Sequence, residues 1–222
     1  CSSDLGDARI LAEEASKARR IKHGDAVTVV IGNPPYDRVT QESSGGWVLH
    51  PERGRALFQD VIESAQKAGV IFSAQASLYN LYVYFWRWSM WKAFEEHPKQ
   101  AAVVSFITAS SWLRGPAFRG LRELASDHAD EIWVVDLGGE GRGARVEDNV
   151  FAIQSPVAIV TMYRKPGSKA RKGIAKTYYR RIRGTSSEKL EALNSIRPPR
   201  GQAEEWEALS RDAAGPLAPL SG

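Results

Sequence analysis

The chain has 222 residues, 43% hydrophobic and 25% charged, enough for one domain of ordinary size or one domain with a tail. No apolar run reaches the roughly 18 residues of a membrane span, no secretory signal opens the chain, and four scattered histidines with one cysteine leave no clustered metal site. A formal net charge of +4 suits a nucleic-acid partner without requiring one, and a soluble cytoplasmic protein is expected.

In chain order, Cys1-Ser2-Ser3-Asp4-Leu5 lacks an initiator methionine and reads as a non-native or disordered start over residues 1–7, with the natural N-terminus lost. Residues 8–21 form an amphipathic helix pattern. Val27-Thr28-Val29-Val30-Ile31 reads as a buried strand, Gly32 as its hinge, and Asn33-Pro34-Pro35-Tyr36 as the turn at its carboxyl end. Residues 37–53 are polar and Gly-rich, a long loop of the kind that serves as a lid or binding loop. Residues 54–68 read as a helix. Residues 78–96 are the most aromatic stretch. A base-stacking platform and a core helix packed on a sheet are the two readings, and the usual burial of large apolar side chains favours the second.

Residues 101–107 are a second strand, with 108–112 as its exit loop. A helix over 116–128 and strands over 131–137 and 156–163 follow. Strands alternating with helices of about 10–15 residues indicate a mostly parallel sheet. Gly138-Gly139-Glu140-Gly141-Arg142-Gly143 is not read as a phosphate loop, because no suitable helix follows it. A surface loop is expected there, with a mobile DNA-contacting loop as its functional variant. Between residues 164 and 183 stand nine basic residues and no acidic one, including Arg164, Lys165, Lys169, Arg171 and Lys172. Such a run either neutralises phosphates or is a solvated linker. Residues 187–196 read as a short helix, and the Pro-, Ala- and Gly-rich composition after Ile196 reads as linker.

The turn Asn33-Pro34-Pro35-Tyr36 carries the chemistry. Open α/β sheets build their sites at the carboxyl ends of strands. Two prolines lock the backbone, so the Asn33 side chain and the Pro34 carbonyl can point the same way as a rigid pair of acceptors. A ring can stack on Tyr36 beside them. This suits a planar substrate with an exocyclic NH2, whose lone pair is delocalised and weakly nucleophilic. Two N–H···O bonds let that nitrogen pyramidalise, and the acceptors favour the charge that develops in the transition state, with no titrating base.

The strand and turn resemble motif IV of the amino-methyltransferases that use S-adenosylmethionine. Ile10-Leu11-Ala12-Glu13-Glu14-Ala15 before the turn, the Tyr-rich helix after it, Val104-Ser105-Phe106-Ile107-Thr108, and Asn149-Val150-Phe151 ahead of Ser155-Pro156-Val157-Ala158-Ile159 widen the likeness. Together, over roughly residues 8–210, they resemble the γ-class adenine-N6 DNA methyltransferase domain of type ISP and type IIG restriction–modification enzymes.

That resemblance implies a partial Rossmann-like methyltransferase sheet with flanking helices and S-adenosylmethionine as cofactor. It implies double-stranded DNA with a flipped adenine as partner. Asn33 and the Pro34 carbonyl would hold N6, Pro35 would fix the turn, and Tyr36 and Phe151 would sandwich the ring. Residues 8–165 would be the C-terminal part of the catalytic domain. Residues 166–222 would be a basic segment and linker toward a target-recognition domain. The family's Gly-rich cofactor loop and its fused nuclease and helicase are expected outside this chain, so the chain by itself is expected to be inactive. Two rivals stand beside this reading: a protein-glutamine or RNA amino-methyltransferase, and a non-catalytic DNA-binding module.

Overall fold

The computed structural model describes residues 3–24, 26–37, 56–70, 77–139, 147–168, 174–199 and 203–219. Most of the loop expected at 37–53 and the Gly141–Gly143 part of the glycine run lie outside the described residues, as do Lys169, Arg171 and Lys172.

Six strands form one mixed sheet: β1 (Val29–Gly32), β2 (Ala102–Ala109), β3 (Glu131–Gly138), β4 (Val157–Arg164), β5 (Lys176–Arg181) and β6 (Glu207–Leu209), in the order β1-β2-β4-β3-β5-β6. The helices are α1 (Ser3–His23), α2 (Gln59–Lys67), α3 (Leu81–Met90, continued by a π-helical turn Trp91–Glu95), α4 (Ser111–Arg114), α5 (Arg119–His128) and α6 (Ser186–Ser195). β1, β2, β3 and β5 run one way, while β4 and β6 run against them. The expected mostly parallel sheet therefore holds by strand direction. The fourth strand, however, inserts antiparallel between the second and third. Alternation alone could not show this, because a strand buried on both faces carries no mark of direction.

The alternating exposure of β2 shows why the chain pleats as it does. Ala102, Val104, Phe106 and Thr108 are buried on one face, and Val103, Ser105, Ile107 and Ala109 are partly covered on the other. The first face packs against α2, α3 and α5 through Val61, Val83, Trp86, Met90, Leu121 and Ala125. The second is covered by α6 and Trp206 over Val135, Leu137, Val157 and Ile182. The aromatic stretch is core: Trp86 is fully buried, stacks on Trp112 at 4.8 Å with an interplanar angle of 4°, and donates Nε1–H to Thr108 Oγ1 at 3.2 Å. The base-stacking platform is not what this helix forms, although Phe85 stays exposed.

Beyond residue 164 the structure departs from the expected linker. Residues 176–181 are a strand paired with β3, and the segment after β6 folds back onto α5. Leu217 is fully buried and its N–H donates to Leu113 O at 2.9 Å. Arg122 Nε donates to Ala214 O at 3.0 Å and Ser126 Oγ to Ala213 O at 2.9 Å. A Pro/Gly-rich run without periodicity satisfied its backbone through side chains far away in sequence, which composition does not reveal.

The helical layer is stitched by buried charge. Arg87 holds Asp60 at 2.9 Å and Glu95 at 2.6 Å, and His128 Nε2 lies 3.2 Å from Glu95 Oε1. Burial pushes the Glu95 carboxyl up, but His128 and Arg87 outweigh it and hold the group down to about 2 from its ordinary 4.5. A depressed folded-state value means stability that is fully present above pH 4.5 and lost as pH falls toward 2. Wild type is expected to lose roughly 2–3 kcal/mol more than Glu95→Gln over that window. Urea midpoints for both proteins across the acid limb check this, and parallel acid limbs would refute it.

Candidate active site

β1 leaves the sheet at Gly32, where an added Cβ would sit 3.3 Å from the Phe106 ring. The chain then enters the Asn33-Pro34-Pro35-Tyr36 turn. Pro34 is buried, Asn33 and Pro35 are exposed, and Tyr36 is half-buried. The turn is anchored from below: Leu81 N–H at the start of α3 donates to Asp37 O at 2.9 Å. The Tyr36 ring meets Tyr82 edge to face at 5.7 Å and 76°. Tyr82 Oη lies 3.4 Å from Ser111 Oγ on the β2 exit. The Tyr36 hydroxyl donates to Asn33 Oδ1 at 3.4 Å, orienting the amide with its oxygen as an acceptor. Burial pushes the Tyr36 phenol up to about 12, so it stays neutral and able to donate at physiological pH.

Because β4 is antiparallel, its N-terminal end lies at the same sheet edge as the C-terminal ends of β1 and β2, with Ala109 opposite Val157. Ser110 N–H donates to Pro156 O at 2.8 Å and ties the two exits together. The sheet thus brings the Asn33–Tyr36 turn and the segment carrying Phe151 to one edge. Only β2 lies between their strands, a separation of about 10 Å from two interstrand spacings. Phe151 is 37% exposed. Its N–H donates to Asn149 Oδ1 at 3.0 Å.

Arg164 and Lys165, which open the basic segment, are not brought to this edge, whereas Arg181 at the end of β5 is. Arg164 ends β4 at the opposite edge and is 1% exposed. Its guanidinium donates to the carbonyls of Gln100, Phe94, Ala93 and His97 at 3.1, 2.6, 3.2 and 2.8 Å. It caps the carboxyl end of the α3 π-turn, where carbonyls lack intrahelical partners. A DNA-phosphate role for Arg164 is therefore corrected: the side chain is buried, and four of its five N–H donors go to backbone carbonyls of the fold. Lys165 is exposed and pairs with Glu131 at 3.5 Å.

Sequence reasoning missed a second group at the site edge. Asp136, 1% exposed, pairs through Oδ1 with Arg181 Nη1 at 2.7 Å and accepts the Tyr179 hydroxyl on Oδ2 at 2.8 Å. Burial, then the Asp136 charge and hydrogen bond, push the Tyr179 phenol up to about 12. The available signal was a lone carboxylate inside the apolar run Ile132-Trp133-Val134-Val135-Asp136-Leu137, since a buried charge needs partners. Gly138 and Gly139 adopt φ of 58° and 92°, and an added Cβ would lie 2.1 Å from Arg181 Nη2 and 2.6 Å from Asn149 Nδ2. These glycines admit protein side chains, and the rest of the run, 140–143, lies outside the described residues. No described residue is assigned to hold a cofactor.

Residues 7–141 match the Eco57I restriction-modification methylase family, and the chain belongs to that family. The ATP-dependent type ISP restriction-modification enzyme LlaBIII, solved bound to DNA, is similar at a TM-score of 0.67 and 22% identity, over 92% of this chain and 13% of that one. DrdV in its DNA complex is similar at 0.60 and 25%, over 91% and 19%. A nuclease-deletion mutant of the type ISP enzyme LlaGI with a DNA substrate mimic is similar at 0.62 and 18%, over 90% and 18%. The chain thus spans less than a fifth of the length of each of these structures. Comparison with curated proteins finds no match. Among the described residues no helix is long and apolar enough to cross a membrane, and no group of three metal-ligating side chains gathers.

Proposed function

We propose that this chain carries the adenine-holding part of a site-specific DNA adenine-N6 methyltransferase of a restriction–modification or phage-defence enzyme, with S-adenosylmethionine as methyl donor. The observation that carries the reading is the convergence on one sheet edge of the Asn33-Pro34-Pro35-Tyr36 turn and the exposed Phe151. Family membership supports methyl transfer in a restriction–modification setting. The DNA-bound state of LlaBIII and DrdV supports DNA as the partner, here read as a duplex.

The target adenine leaves the duplex, because its N6 is otherwise engaged in pairing. Asn33 Oδ1 and the Pro34 carbonyl accept its two N–H groups, and the nitrogen lone pair turns to the open side of the edge. The donor supplies an electrophilic methyl group when bound. Neutral acceptors held by a locked turn need no reorganisation as positive charge grows on N6. Tyr36 and Phe151 form the walls against the base. Lys165, with Lys169, Arg171 and Lys172, offers the phosphate contacts of the basic segment. Fused nuclease, helicase and target-recognition parts belong to the same proposal.

Transfer of a labelled methyl group from S-adenosylmethionine to duplex DNA by the enzyme as its gene encodes it, followed by nucleoside analysis, tests the reading. N6-methyladenine is the expected product; label on cytosine, RNA or protein would overturn it. Replacing Tyr36 or Phe151 with Ala is expected to weaken capture of the extrahelical base by about 1–3 kcal/mol per lost stacking contact. Fluorescence of 2-aminopurine at the target position reads that loss. An unchanged signal and rate in Phe151→Ala would make Phe151 a packing residue.

A further inference from the structure

Behind the proposed adenine site runs a chain of ion pairs that the chemistry does not use, buried at Asp136 and Lys189 and half-buried at Arg181 and Glu147. Asp136 Oδ1 contacts Arg181 Nη1 at 2.7 Å, Arg181 Nη2 contacts Glu147 Oε2, and Glu147 Oε1 contacts Lys189 Nζ at 3.0 Å. Lys189, on α6, is fully buried and also donates to Leu137 O at 2.7 Å and Asp148 O at 2.6 Å. Arg114 Nη1 approaches Asp136 Oδ2 at 3.9 Å from the exposed side. Residues 147 and 148 are therefore gripped at two successive points, one through a carboxylate and one through a backbone carbonyl. Asn149 continues the grip: Nδ2 donates to Gly139 O at 3.2 Å and Ser155 O at 2.8 Å, while Oδ1 receives the Phe151 N–H. Nothing but glycine at 138 and 139 leaves room for Arg181 and Asn149 to come this close.

Taking Asp136 and Lys189 out of water is costly, and well-packed apolar side chains often stabilise as much or more. Stability alone is thus a poor reason for the network. What it does provide is one geometry for a segment of nine residues, 147–155, that has no helix or strand of its own. We infer that Lys189 and Asn149 are positioning residues: the Asp136–Arg181–Glu147–Lys189 chain clamps residues 147 and 148 to the sheet end, and Asn149 sets the turn that presents Phe151 beside Asn33. The inference rests on the proposed role of Phe151 as a wall for the adenine.

The test uses the enzyme as its gene encodes it, with Lys189→Met, Asn149→Ala, Phe151→Ala and the Lys189→Met/Phe151→Ala double variant. Amide hydrogen exchange is read over 147–155 and over β2 and β4. Losing charge-assisted bonds of this kind is expected to speed exchange at 147–155 by about tenfold or more, with β2 and β4 still protected. Lys189→Met is expected to lower 2-aminopurine flipping and raise KM for DNA by the same factor as Phe151→Ala. If Lys189 acts through Phe151, the double variant is no worse than Phe151→Ala.

Additive losses in the double variant, unchanged exchange at 147–155, or a uniform loss of protection would each overturn the inference. Asn149→Ala, altering a half-buried side chain, carries the same test if Lys189→Met does not fold. A wild type that methylates adenine, with Phe151→Ala impaired and Lys189→Met and Asn149→Ala intact, defeats this inference alone. A wild type that methylates no adenine defeats the underlying reading and this inference with it.

Discussion

Asn33→Ala is expected to lower methyl transfer by about 10²–10³-fold, the cost of removing one preorganised acceptor of transition-state charge. Binding of the methyl donor is expected to stay nearly unchanged, because the amide faces the substrate nitrogen in the proposed arrangement. Stability is also expected to hold within about 0.5 kcal/mol, as for an exposed side chain away from the core. Asn33 is exposed, and its one described side-chain contact is the 3.4 Å bond from the Tyr36 hydroxyl. The Tyr36 ring keeps its packing on Tyr82 in the variant, so the wall of the site survives while the acceptor is gone. Single-turnover rates with saturating donor and duplex, beside a thermal unfolding curve, separate the two effects. Wild-type turnover would defeat the assigned role, and a collapsed unfolding temperature would make Asn33 structural.

Arg164→Met carries the second large effect, and it falls on stability. The methionine stem can keep the packing against Phe94, whose ring centre lies 5.0 Å from the guanidinium carbon. The carbonyls of Ala93, Phe94, His97 and Gln100 lose this donor, and His97 O keeps the Gln100 N–H at 3.2 Å. At roughly 1–3 kcal/mol for a buried acceptor left unsatisfied, with water regaining some of the four, a loss of about 3–5 kcal/mol is expected. The urea midpoint reads it. The salt dependence of DNA binding reads the rival role: a phosphate contact would reduce the slope of log affinity against log salt by about one, with stability intact. An unchanged slope with a lowered midpoint is the expected outcome.

These two residues mark how far the sequence reaches. The β1 turn was legible because its determinants are local: an apolar run, a hinge glycine, and two prolines that fix the backbone without outside help. Strands β2, β3 and β4 and helices α2, α3, α5 and α6 were legible from apolar periodicity, with ends misplaced by a few residues where packing overrides propensity, while the short α4 falls where an exit loop was expected. Phe151 was legible only through family resemblance, since an exposed phenylalanine in an irregular segment has no periodic signal.

Tertiary structure alone decided what the polar residues do. Arg164 and Arg181 stand in one basic run, yet the first caps a helix end and the second pairs with Asp136 across parallel strands. The same composition serves a solvated linker or a buried strand. The difference lies in whether partners distant in sequence arrive to satisfy the charge. The antiparallel insertion of β4 is of the same kind: local sequence specifies that a strand forms. Which neighbours it meets, and therefore that Phe151 reaches the edge where Asn33 stands, follows from the register of the whole sheet.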